Sequence, residues 1–140
     1  MDASQRLTRR QVLAGMGILA FAAVPGVLRD RGTIKLAPEI ASAAERIVAV
    51  VDGEPAIAAL GGSYLATRPD RPDTAQLMAE LLPSQMRYAD VEQASAEELR
   101  TRLHDAVVAD FVAGRTVAVE GWQLSSTEAR IAGLVRALRP

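Results

Sequence analysis

The 140-residue chain has no cysteine and a single histidine, which excludes disulfides, thiol catalysis, cysteine-ligated iron–sulfur clusters and histidine-rich metal sites. Apolar residues make up 49% of it, enough for a packed core, while aromatics are only 4%, so that core must be built from Ala, Val, Leu and Ile. From Ala44 onward ten arginines and no lysine stand against fourteen acids, a formal charge of −4 that offers nucleic acid no basic footprint.

The first ten residues are polar and end in Arg9-Arg10. Behind them, Val12 to Leu28 is an apolar run broken by Gly15, Gly17, Pro25 and Gly26. A spanning helix needs about 20 mostly apolar residues, so this shorter run suits a signal core; the alternative is an uncleaved single-pass anchor. Thr8-Arg9-Arg10-Gln11-Val12-Leu13-Ala14 resembles the twin-arginine (Tat) signal, usually Ser/Thr-Arg-Arg-x-Phe-Leu-Lys. Thr8, Arg9, Arg10 and Leu13 match it; Val12 replaces the aromatic and Ala14 the lysine. Such signals are addresses read by a receptor, not anchors. The resemblance implies recognition of Arg9, Arg10 and Leu13 by the Tat translocase and export of a folded protein to the periplasm. If the run stays uncleaved, residues 12–28 hold the protein on the periplasmic side of the inner membrane. Residues 1–36 are read as signal helix and linker, and residues 37–140 as one small domain.

That domain reads as mainly α, with four to five helices and a short β-hairpin near residues 116–124. A first helix starts at Pro38, with Ile40, Ile47 and Val51 on one face, and stops at Asp52-Gly53. A second follows Pro55 over Ala56 to Ala66, with Ile57, Leu60, Tyr64 and Leu65 as a partial stripe. Gly61-Gly62 inside it predicts close approach of another backbone, because paired glycines otherwise weaken a helix by about 1 kcal/mol each. Asp73 caps a third helix, Thr74 to Leu82, stopped by Pro83; Ser84 to Ala94 reads as irregular. Ser95 and Glu98 form a capping box for a helix reaching Ala113, with Leu99, Leu103, Ala106, Val107 and Phe111 apolar, and Gly114 stops it. Thr116 to Val119 and Trp122 to Leu124 then alternate around Glu120-Gly121 as a hairpin. Ser125 and Glu128 form a second box for a last helix, with Ile131, Leu134, Val135 and Leu138 on one face.

No catalytic, cofactor-binding or metal-ligating set is expected. There is no Asp-rich loop of calcium-binding spacing and no phosphate-loop pattern around Gly61-Gly62. His104 lacks an evident nucleophile, since Ser125 and Ser126 read as cap residues. Asp105 and Asp110 fall about 140° apart around their helix and, with Glu97-Glu98, read as a solvated face. Arg68, Arg71 and Arg115 read as surface cations that pair with nearby acids. The block from Asp110 to Arg130, which holds the only Trp, is the most specific stretch. Arg115, Trp122 and Arg130 are its candidates for partner docking, because Trp and Arg concentrate binding energy. The alternative places Trp122 over the core between the last two helices.

Thr8-Arg9-Arg10, the small helical domain and the Gly114-Arg115-Thr116-Val117…Gly121-Trp122…Thr127-Glu128-Ala129-Arg130 pattern together resemble the Tat-signal accessory proteins encoded beside exported bacterial oxidoreductases. Small subunits of sorbitol- and glucose-type flavin dehydrogenases are examples. The resemblance implies a non-catalytic small subunit that escorts a larger oxidoreductase and carries no cofactor itself. A membrane-anchored scaffolding module is the second reading and a small enzyme the last. Beyond the signal motif, no functional residue is carried over from that family.

Overall fold

In the computed structural model the described residues are 36–51, 55–82 and 86–140. The segment read as a signal, including Arg9, Arg10, Leu13 and the run 12–28, lies outside them, as do the expected stops at Asp52-Gly53 and Pro83. Six helices and one two-stranded antiparallel hairpin are formed among the described residues, which belong to the compact unit Lys35–Pro140.

Helix α1 (Pro38–Val50) takes proline at its first turn, where a missing N–H costs nothing. It buries Ala43, Ala44, Ile47 and Val48, one stripe of the 3.6-residue period, while Ile40 and Val51 are half-buried.

Helix α2 (Pro55–Thr67) buries Ala58, Gly61 and Tyr64. This corrects the expected stripe: Ile57, Leu60 and Leu65 are only half-buried. At Gly61 another backbone lies directly against the helix. A Cβ built on Gly61 would fall 1.9 Å from the carbonyl oxygen of Ala132, on the last helix. The glycine pair does serve close approach, but only Gly61 carries it. At Gly62 the nearest atom is Arg136 Nε at 3.7 Å, an ordinary contact.

Helix α3 (Thr74–Leu81) begins where Asp73 Oδ1 accepts from the Gln76 backbone N–H at 2.8 Å, and it buries Leu77, Met78 and Leu81. Helix α4 (Tyr88–Gln93) stands where an irregular stretch was expected, and raises the count to six. Six residues are too few to be stable through helix propensity. Their order comes from fully buried Val91, from Asp90 Oδ2 accepting the Arg87 backbone N–H at 2.8 Å, and from Arg46 of α1. The Arg46 guanidinium donates to the carbonyls of Val91 and Ala94, satisfying acceptors that a helix C-terminus leaves open.

Helix α5 (Ala96–Val112) has the expected box: Ser95 Oγ accepts from the Glu98 N–H at 3.1 Å and Glu98 Oε2 from the Ser95 N–H at 2.9 Å. Gly114, at φ 70°, ends it in the left-handed conformation that only glycine adopts cheaply. Strands β1 (Thr116–Val119) and β2 (Trp122–Ser125) pair Val117 with Leu124 and Val119 with Trp122. This register puts those four apolar side chains on one face, where Val119 and Leu124 are buried. Glu120 (φ 50°) and Gly121 (φ 78°) make the two-residue turn with positive φ at both positions that suits strand twist.

Helix α6 (Ser126–Leu138) is the centre of the domain. It packs against α1, α2, α3, α5 and both strands. Of the expected apolar face, Ile131, Leu134 and Val135 are buried and Leu138 is half-buried. Thr127, Ala129, Ala132 and Gly133 are buried too, so burial covers most of the helix circumference. The core is aliphatic as expected, with Tyr64 and Met78 added. Full burial of a side chain such as Leu134 stabilises by about 1.5–3 kcal/mol.

Candidate functional site

Besides the Arg46 contacts of α1 with α4 and the Arg139–Glu45 pair, two clusters of polar bonds join separate helices. The first is the junction of α5, the hairpin and α6, within the stretch Asp110 to Arg130. Asp110 occupies the last turn of α5 and is 5% exposed, so it does not belong to a solvated face as expected. Its Oδ1 accepts from Arg115 Nε at 2.8 Å and its Oδ2 from the Thr127 backbone N–H at 2.7 Å. The Arg115 carbonyl accepts from the Ser126 backbone N–H at 3.0 Å and from Ser126 Oγ at 3.2 Å. Buried Ser125 completes the junction, its Oγ accepting from the Glu128 N–H at 3.0 Å while Glu128 Oε2 accepts from the Ser125 N–H at 2.8 Å.

The electrostatics of this junction follow from where the helices end. An acid in the last turn faces the negative end of its own helix. Asp110 instead meets the positive, N-terminal end of α6, whose free N–H groups favour an anion. Burial pushes the Asp110 carboxyl up, but the hydrogen bonds from Thr127 and the Arg115 guanidinium outweigh it and hold it below the usual aspartate range. A carboxylate so held is a poor proton acceptor at neutral pH and a good fixed anion.

The second place centres on Glu80 of α3. Arg68, just past α2, donates to both its oxygens, at 3.0 and 2.8 Å, and also to both oxygens of Asp70, at 2.8 and 2.6 Å. Tyr64 Oη accepts a further bond from Arg68 at 2.8 Å. Arg130 Nε of α6 lies 3.3 Å from Glu80 Oε2, an ion pair without hydrogen-bond geometry. The Arg68 hydrogen bonds, with Arg130 adding its charge, hold the Glu80 carboxyl below the usual glutamate range; the same bonds, led by those to Asp70, raise Arg68.

The docking candidates fall into different surroundings. Arg115 has a side chain 57% exposed although it bonds Asp110, and it stands at the open end of the hairpin. Trp122 is half-buried at the turn end, roughly 13 Å along the strands, on the apolar face with Val119 and Leu124. Arg130 belongs to the Glu80 network. No hydrogen bond or ion pair among the described residues joins the three. Arg9, Arg10 and Leu13 lie outside the described residues.

The other titratable candidates are dispersed. His104 and Asp105 are exposed on α5, whereas Asp110 is buried. Ser125 acts as a helix cap, and Ser126 Oγ donates to Arg115 O. Among the described residues no group of His, Asp and Glu side chains is arranged to hold a metal ion, and no helix is long and apolar enough to cross a membrane. Sequence reasoning missed Asp110 and Glu80 as organising groups. The signal was there in both: an acid in the last turn of a helix opposes the dipole and calls for a partner.

Compared with known protein families, with curated proteins and with solved structures, the chain matches none of them.

Proposed function

We propose that the chain is a non-catalytic accessory subunit, exported by the Tat route, that binds and escorts a larger periplasmic oxidoreductase. The observation that carries this reading is Thr8-Arg9-Arg10 ahead of the apolar run Val12 to Leu28, an address for folded cargo. The body of the protein supports it. Asp110, Glu80, Arg68, Ser125 and Glu128 are each engaged in joining helices or capping them, which is the polar chemistry of a scaffold. The hairpin side, where Arg115 remains half-exposed, is the docking candidate.

Replacement of both Arg9 and Arg10 by lysine tests the escort reading. The oxidoreductase encoded beside this chain is expected to stay in the cytoplasm with the variant and to co-purify with the wild-type chain. Normal periplasmic activity of that enzyme in the double variant would end the proposal. N-terminal sequencing of the mature protein separates this from an anchored module, which would keep Met1.

A further inference from the structure

We draw no further inference here: the strongest candidate, the exposed apolar patch of Val108 and Val112 near the C-terminal end of α5, is a helix face for which nothing in the structure shows what covers it.

Discussion

Helices α5 and α6 start alike and end differently. Each opens with Ser-x-x-Glu, and each box makes the same two reciprocal hydrogen bonds. Yet α5, with 17 residues, buries only Leu99, Val107 and Asp110, whereas α6, with 13, buries seven. The caps cannot explain this, since they are chemically identical. Side-chain volume and charge do. Around α5 stand Glu97, Glu98, Arg100, Arg102, His104 and Asp105, all exposed. Along α6, Ala129, Ala132 and Gly133 let neighbours approach from several sides, and Gly133 receives Tyr64 and Leu65 at 3.2 and 3.3 Å from where a Cβ would stand. A cap decides where a helix begins; the size of its residues decides how much of it can be enclosed.

The largest test of that contrast is at the α2–α6 crossing. Gly61→Ala places a methyl group 1.9 Å from Ala132 O, a backbone atom that can yield only if the helices part. We expect a loss of about 3 kcal/mol, read as a lower urea midpoint at unchanged slope. Gly62→Ala, one residue on, should instead gain about 0.5–1 kcal/mol, because its site has room and alanine is the better helix former. Equal effects at the two positions would mean that the crossing does not depend on backbone contact.

Next comes the anion that pins α6 to α5. Asp110→Ala removes the acceptor for the Thr127 N–H and should cost about 2–3 kcal/mol in denaturant unfolding. The pH dependence has a definite sign. The folded-state pKa of Asp110 is depressed, so its contribution is complete above the ordinary aspartate pKa of about 4 and is lost as pH falls through the folded value. Wild-type stability should therefore fall on acidification below about pH 4, and Asp110→Asn should fall less steeply. Parallel acid profiles would remove Asp110 from this role.

The two caps themselves give a smaller difference. Ser125 is fully buried and Ser95 exposed, so water can replace the lost bond only at Ser95. Ser125→Ala should cost about 1.5–2 kcal/mol and Ser95→Ala about 0.5–1 kcal/mol, measured by thermal or urea unfolding. Identical losses would show that burial of the cap is irrelevant. The smallest effect is at the hairpin turn beside α6. Glu120 holds φ at 50°, which Asn tolerates better, so Glu120→Asn should raise stability by about 0.5 kcal/mol.

What was legible in the sequence was what neighbours in sequence settle among themselves. Both capping boxes, the Asp73 cap, the Gly114 stop and the Glu120-Gly121 turn were readable because each is complete within about four residues. The mainly helical class followed from the spacing of apolar residues between those signals. Helix α4 was not readable, because its order depends on Arg46, 45 residues before Val91. For Glu80 the last-turn acid signalled the need for a partner, but not which one, since Arg68 and Arg130 come from other elements. The docking candidates were chosen as residue types, without knowledge that Arg115 would hold Asp110 or that Arg130 would face Glu80.

By itself, then, the sequence determined the helix caps at Asp73, Ser95 and Ser125, the stop at Gly114 and the hairpin turn, because local hydrogen bonding and backbone conformation need no distant partner. The tertiary structure alone decided that Gly61 rather than Gly62 meets a backbone, that Asp110 is enclosed rather than solvated, and that α6 rather than α5 is the centre. Each of these depends on which surfaces meet, and burial belongs to a pair of surfaces, so no single stretch of chain could specify it.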